Sequence, residues 1–256
     1  PVFSLRIHAD EPTIFCDPGP DVVGNFANEM TSLYVSQGDV SLYADEAIGE
    51  GIGSPTRLAL SFGITLLDYD LDGRLDLLQA NGHLEEKINL VQPSQHYEQS
   101  AQLFWNCGLD TRGCFVPVRR GHAGDLTKPI VGRGSAFGDI DGDGDLDVVL
   151  TQLGRAPLLL RNDQQLHAHW IRIKLVGRKP NISAIGAMIE IHAGDLSMRR
   201  QVMPTRSYLS QSELPVTFGL GSHDRIDSLT VTWPTGDVSE HRNLATDRLH
   251  VLIQPN

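Results

Sequence analysis

The sequence lacks any apolar run that approaches the ~20 residues needed to cross a bilayer, so it predicts no membrane insertion. Basic residues are also scarce beside acidic ones, with 21 Lys and Arg against 32 Asp and Glu and a formal net charge of −11. Nucleic acids and anionic membrane surfaces bind basic protein faces. We therefore expect neither of them as a partner.

The usual catalytic signatures are missing as well. The chain contains no GxSxG nucleophile elbow, no HExxH zinc motif, no P-loop and no CxxC pair. We predict that the protein is not an enzyme, and an enzyme with its active site on the face of a β-propeller is the less favoured alternative. The opening letters PVFSLRIHADEP do not have the layout of a signal peptide, so we expect a mature or truncated form.

Cysteine is sparse and occurs only at Cys16, Cys107 and Cys114. Cys107 and Cys114 flank the turn-rich letters GLDTRG between the apolar pieces LFW and FVPV, which is typical of a hairpin. A hairpin would place the two side chains opposite each other and predicts a disulfide, with two free thiols as the alternative. Cys16 is the odd cysteine and is either free or paired outside this chain.

Aspartate, by contrast, is concentrated in two short loops. The first Asp loop, residues 68–76, reads DYDLDGRLD, and the second Asp loop, residues 139–147, reads DIDGDGDLD. Both have Asp at loop positions one, three, five and nine and Gly at position six, and both run into an apolar stretch. Neighbouring carboxylates repel one another unless a cation neutralises them. A duplicated pattern of this kind indicates an internal repeat.

Oxygen ligands on alternate residues suit Ca²⁺, which takes six to eight of them, so we predict two Ca²⁺ sites. The glycine at position six permits a left-handed backbone that closes each loop. Position seven, Arg74 or Asp145, is expected to donate its backbone carbonyl oxygen. The expected carboxylate ligands are Asp68, Asp70, Asp72 and Asp76 in the first loop and Asp139, Asp141, Asp143 and Asp147 in the second.

Four other interpretations of these loops are less favoured. An EF-hand needs Glu at position twelve and flanking helices, but Gln79 and Leu150 stand there and the flanks have the pattern of strands. Mg²⁺ has stricter geometry and keeps more of its waters. Paired acids can hydrolyse glycosides, although five carboxylates in one small loop are more typical of a metal cage. The loops could also be Asp-rich turns that bond only to local amides.

The remaining pattern predicts an all-β protein of two domains, residues 1–165 and 166–256. Two strands are expected at residues 32–36 and 40–44, with a turn at 37–39. About four short strands fit between the starts of the two Asp loops, as in a propeller blade lengthened by an insertion. From His169 onward, closely spaced alternating strands predict a small antiparallel sandwich or barrel.

Two sets of motifs carry a family resemblance. FGITLLDYDLDGRLDLLQANGH and GRGSAFGDIDGDGDLDVVLTQLGRAPLLLRND resemble the FG-GAP or VCBS repeats of integrin-α-type β-propellers. Later, HWIRIKLVGRK, SAIGAMIEIHAG, SYLSQSE, FGLG and IDSLTVTWPTG resemble the ASPIC/UnbV domain. In this order, the two sets are similar to the cartilage acidic protein family.

The resemblance implies a secreted or cell-surface protein, a periplasmic location being the alternative, with calcium in the loops between the first two strands of blades. Family propellers are similar to seven-bladed rings, whereas residues 1–165 supply about three blades. An N-terminal segment or another chain would then complete the ring. The expected function is a calcium-binding extracellular binding or adhesion module for a protein or glycan partner. The alternative is a structural subunit that assembles with copies of itself.

Overall fold

The structure is a computed structural model, and it describes residues 21–39, 42–108 and 114–256. Within these ranges the chain forms nineteen β-strands, two four-residue α-helices and two short 3-10 helices, which confirms the all-β class. No helix in the described ranges is long and apolar enough to span a membrane.

The strands up to residue 160 form three larger antiparallel sheets and one small one, with the orders β1-β2-β3, β4-β5-β7-β8, β10-β11-β12 and β6-β9. We call them the N-terminal sheets. Their strands are β1 (Asp21–Val23), β2 (Ser32–Asp39), β3 (Leu42–Asp45), β4 (Ser61–Leu67), β5 (Asp76–Asn81), β6 (Gln99–Ser100), β7 (Gln102–Asn106), β8 (Phe115–Pro117), β9 (Pro129–Ile130), β10 (Gly132–Gly138), β11 (Asp147–Gln152) and β12 (Leu158–Leu160). The helices α1 (Gly53–Thr56) and α2 (Ile88–Val91) and the 3-10 segments Arg120–His122 and Gly124–Thr127 connect them.

Two of these sheets meet almost backbone to backbone. A Cβ added to Gly63 in β4 would come within 3.0 Å of the backbone of residues 133–135, and one added to Gly82 would approach Gly132 as closely. Around this contact, Leu67 and Leu78 pack with Leu150 in one buried cluster. Strand β5 lies between β4 and β7 and is buried at every position, so the first Asp loop is fixed at the end of a rigid strand.

The remaining strands form the C-terminal sandwich, in which two sheets share one core. One sheet has the order β16-β13-β19 and the other β15-β14-β17-β18. Strand β14 alternates half-buried and buried residues along MIEIHA, as a strand with one face on a core should. Phe218 and Trp233 are the largest fully buried side chains of the sandwich core. The strands are β13 (His169–Val176), β14 (Met188–Ala193), β15 (Leu196–Gln201), β16 (Val216–Gly221), β17 (Ser228–Thr232), β18 (Val238–His241) and β19 (Arg248–Ile253).

Of the two predicted forms for the C-terminal part, the structure therefore confirms the sandwich. The described residues form no closed barrel. One strand pair departs from the predicted antiparallel arrangement, because β13 and β19 are parallel from Ile171↔Arg248 to Val176↔Ile253. A parallel pair needs a long crossover, and here the whole second sheet lies between the two strands in sequence.

The N-terminal predictions have a mixed outcome. Each Asp loop joins the first two strands of an antiparallel sheet, β4 to β5 and β10 to β11, as expected. Propeller blades are not confirmed, and the ring and the boundary at residue 165 stay predictions. The predicted turn at residues 37–39 was wrong, because β2 continues to Asp39 with an irregular register after Ser36. A glycine inside a strand commonly marks such a bulge.

The Cys107–Cys114 hairpin is correct, but the disulfide is not present. The backbone N–H of Cys107 donates to the carbonyl oxygen of Cys114 at 2.6 Å, next to the β7–β8 pair. Both residues nevertheless remain thiols. The thiol of Cys114 contacts the carboxylate of Glu50 instead, and burial together with this contact raises its pKa. Cys16 lies outside the described residues.

Candidate metal centres

The first Asp loop brings three carboxylates to one point. Leu67 pairs with Asp76 across the β4–β5 hairpin, so the two ends of the loop are held together. Leu71 and Gly73 adopt positive φ angles of 59° and 93°, which turn the chain sharply. One oxygen each from Asp68, Asp70 and Asp76 then lies within 4.8 Å of the others.

Backbone amides hold the first and last of these carboxylates in place. Asp68 accepts from the N–H groups of Asp72 and Gly73 at 3.1 and 3.0 Å. Asp76 accepts from those of Tyr69 and Asn106 at 3.1 and 2.7 Å. These contacts orient the carboxylates toward a common centre.

Asp70 is the exception in this network. Its side chain is only 9% exposed, yet its Oδ1 atom is buried and has no hydrogen-bond partner. Burial raises the pKa values of Asp70 and Asp72, and the indole N–H of Trp105, which faces both carboxylates, only partly opposes this rise. The indole nitrogen also lies outside hydrogen-bond geometry. A buried oxygen without a partner is unfavourable by about 1–3 kcal/mol or more for a charged group. Such an atom fits a metal ligand.

The pKa values of the carboxyl groups in the first Asp loop also favour a cation site. Burial, followed by the charges of Asp72 and Asp70, raises the pKa of Asp68 well above its usual value. Burial is also the main cause that raises the pKa of Asp76 to about 9. In the protein alone these groups resist ionisation, and a divalent cation would remove that resistance.

The second Asp loop repeats this arrangement. One oxygen each from Asp139, Asp141 and Asp147 lies within 4.8 Å of the others. Asp139 accepts from the N–H groups of Gly142 and Gly144 at 2.7 and 3.1 Å. Asp147 accepts from the N–H groups at loop position two and at Asn162, at 2.9 and 2.8 Å. The loops therefore share most of their hydrogen-bond pattern, except that the N–H at position five donates to the first aspartate in the first loop and the N–H at position four does so in the second.

The second loop nevertheless differs in charge and exposure. Asp139 forms an ion pair with Arg172 at 2.7 Å, and Arg172 also pairs with Glu213 at 2.5 Å. Asp141 and Asp143 are exposed. A protein cation thus already neutralises part of this loop, so we expect it to bind a metal ion more weakly than the first.

The carboxylates at position five, Asp72 and Asp143, are not among the converging side-chain oxygens. Asp72 and Asp143 each accept from the N–H at position seven, at 2.8 and 3.0 Å. Asp72 also forms an ion pair with Arg74. The side chain of Asp145 accepts from Gln164 at 2.7 Å, and burial raises its pKa to about 6. The carbonyl role expected of Arg74 and Asp145 stays a prediction.

Several residues around the loops were not foreseen, including Trp105 and Arg172. One signal was available in the sequence. The letters LFWN end at Asn106 and LLLRN at Asn162, and both asparagines donate their backbone N–H to the aspartate at position nine. The repeat therefore extends beyond the Asp loops to the strand that follows each hairpin.

Comparison with known proteins agrees with this architecture. Residues 177–256 match the ASPIC and UnbV family. Cartilage acidic protein 1 of Homo sapiens is 25% identical over 287 residues, which cover 94% of this chain and 41% of that protein. The Mus musculus protein of the same name is 24% identical, with 94% and 42% covered. That of Xenopus tropicalis is 26% identical over 270 residues, with 88% and 40% covered.

The chain thus spans about two fifths of the length of the curated relatives it matches. The matches extend over both parts of the chain, since they cover far more than the C-terminal sandwich. Residues 177–256 are thus similar to the ASPIC and UnbV family, and the chain as a whole is similar to cartilage acidic protein 1.

Proposed function

We propose that this protein is a calcium-binding module of an extracellular or cell-surface protein, in which Ca²⁺ in the Asp loops stiffens a binding surface. The observation that carries the proposal is the Oδ1 atom of Asp70, a buried carboxylate oxygen without a hydrogen-bond partner beside two further carboxylates. The secreted location rests on the similarity to cartilage acidic protein 1.

Asp68, Asp70 and Asp76 would hold the ion in the first loop, and Asp139, Asp141 and Asp147 in the second. All of these donors are carboxylate oxygens, which suit Ca²⁺ or Mg²⁺ far better than softer metals. Ca²⁺ is favoured because it tolerates irregular geometry and accepts many protein oxygens. When bound, the ion supplies charge neutralisation and cross-linking of the loop, without any catalytic step.

The partner is proposed to be a protein or a glycan. The alternative is assembly with further copies of the chain or with additional sheets of a longer protein. Light scattering of the purified chain separates these two possibilities. A strict monomer at high concentration favours the binding module, whereas a stable oligomer favours assembly.

Calcium is expected to raise the melting temperature of the chain. A ligand that binds only the folded state stabilises it by about 2.7 kcal/mol at a hundredfold excess over Kd. For a chain of this size that corresponds to roughly 5–10 °C. Isothermal titration calorimetry should show one ion binding tightly and a second more weakly, and thermal melts should shift downward in EGTA.

Mg²⁺ at the same concentration serves as the control, and it should shift the melt less than Ca²⁺ does. Absence of both binding heat and a melting shift with Ca²⁺ would rule out the proposed function. Equal responses to the two ions would show a divalent site without preference for calcium.

A further inference from the structure

Both Asp loops lie against the C-terminal sandwich, and both do so through their first aspartate. Strand β16 is an edge strand, because its sheet has the order β16-β13-β19. On its free edge, Gly219 donates its N–H to Oδ2 of Asp68 at 3.1 Å, and Gly221 donates to the carbonyl oxygen of Leu71 at 2.9 Å. The first Asp loop therefore covers the edge of β16, which would otherwise expose unpaired N–H groups.

The second Asp loop contacts the neighbouring strand of the same sheet. Arg172 of β13 donates to Oδ2 of Asp139, and this buried ion pair has side-chain exposures of 8% and 0%. Glu213, just before β16, accepts from both Arg172 and the N–H of Asp139. The Oδ2 atom of Asp139 also accepts from the N–H of Gly144, the position-six glycine. In the first loop, Oδ2 of Asp68 accepts from Gly73 in the same way.

The two position-six glycines meet the sandwich at one place. Gly73 packs close to the carbonyl oxygen of Gly219, and Gly144 lies against the ring of Trp170. Trp170 and Gly219 are directly paired across β13 and β16. Two equivalent positions of the repeat thus rest on one cross-strand pair of the C-terminal sandwich.

We infer that strands β13 and β16 complete the two cation sites, so that binding of a divalent cation and docking of the C-terminal sandwich on the N-terminal sheets are coupled. The inference rests on the proposed calcium function. Donors from the sandwich orient the first aspartate of each loop, as outer hydrogen bonds commonly orient metal ligands. By linkage, the factor by which docking raises cation affinity equals the factor by which a bound cation favours docking.

Part of the docking does not involve the cation sites. Ser135 contacts Ser207 at 3.2 Å, the N–H of Phe137 donates to Ser212 at 3.2 Å, and the ring of Phe62 lies 5.2 Å from that of Tyr208. Removal of the ion should therefore loosen the contact at β13 and β16 without separating the two parts completely.

Gly219→Ala tests the inference because it removes no cation ligand. Its new methyl group would come within 3.0 Å of the backbone of Leu71 and of a carboxylate oxygen of Asp68, so the loop must move away. Ca²⁺ affinity measured by calorimetry should fall about tenfold, which is within the usual range of coupling between sites. Gly121→Ala, where nothing lies within 4 Å of the added methyl, is the matched control and should bind Ca²⁺ as the unmodified chain does.

Hydrogen exchange of the unmodified chain gives a second test that needs no variant. The N–H groups of Gly219 and Gly221 should exchange several-fold more slowly with Ca²⁺ than in EGTA, because they donate to the first Asp loop. Amides of the β14–β15 pair that exchange through local opening lie away from both loops and should not respond. Equal exchange of these glycines in both conditions, or unchanged Ca²⁺ affinity in folded Gly219→Ala, would overturn the coupling. If the unmodified chain binds no Ca²⁺ at all, the proposed function itself is wrong.

Discussion

Replacing Asp70 by asparagine is expected to change stability in opposite directions with and without calcium. In EGTA the variant should be more stable than the unmodified chain. In the unmodified chain, Oδ1 of Asp70 is buried without a partner, and the carboxylate lies beside those of Asp68 and Asp76. Asparagine replaces this unsatisfied charged group by a neutral amide that can donate to its neighbours, and it removes a repulsion. The expected gain is about 1–3 kcal/mol.

In saturating Ca²⁺ the order should reverse. The unmodified chain gains about 2.7 kcal/mol at a hundredfold excess of the ion over Kd, whereas the variant has lost a ligand and gains little. A residue that merely supports the fold would destabilise the chain in both conditions when replaced. The reversal therefore identifies Asp70 as a ligand.

Urea unfolding of both chains, with Ca²⁺ and with EGTA, measures the four free energies of unfolding. Asp125→Asn is the matched control, because Asp125 is exposed, lies outside both loops and pairs with Lys128 on the surface. Such pairs contribute ~0–1 kcal/mol, so the control should change little in either condition. An Asp70→Asn chain that is less stable by the same amount in both conditions would exclude the ligand role.

Gly144→Ala is expected to be far more destabilising than Gly142→Ala, although the two glycines lie in the same loop. Both have positive φ angles, 99° and 83°, where an alanine is strained by ~1–2 kcal/mol. A methyl group on Gly142 meets nothing within 4 Å, but one on Gly144 overlaps the ring of Trp170. Overpacking of this kind adds about 1–3 kcal/mol.

The difference between the two variants isolates the contact with Trp170, because the backbone strain is nearly the same in both. Chemical unfolding in Ca²⁺ gives this difference, and Trp170 fluorescence should change only in Gly144→Ala. Equal losses of stability would mean that the ring moves aside freely, and the contact with Trp170 would then contribute little to holding the second Asp loop against the sandwich.

Loops and hairpins could be predicted from the sequence, but contacts between residues that are distant in the chain could not. The Asp loops and the hairpin after Asn106 are specified by residues close together in the chain, so spacing and turn chemistry reveal them. The contact between Asp139 and Arg172 joins positions 33 residues apart, and that between Asp68 and Gly219 joins positions 151 apart. No periodicity in a single sequence reports which distant groups meet.

Two departures from the predictions have specific physical causes. The letters QGD were interpreted as a turn because Gly and Asp favour turns, yet the sheet incorporates them into β2 with an irregular register. The alternation in LHVLIQ correctly indicated strand β19, but alternation is identical for parallel and antiparallel partners. Its pairing with β13 could not be inferred from the pattern.

The parallel pairing of β13 with β19 has a mechanical consequence. Tension that enters the sandwich at the start of β13 and leaves at the end of β19 pulls the two strands past each other. Six paired positions then bear the load together, from Ile171↔Arg248 to Val176↔Ile253. A hairpin such as β14–β15, pulled from its open end, would instead separate one pair at a time. The C-terminal sandwich should thus resist stretching between the start of β13 and the end of β19.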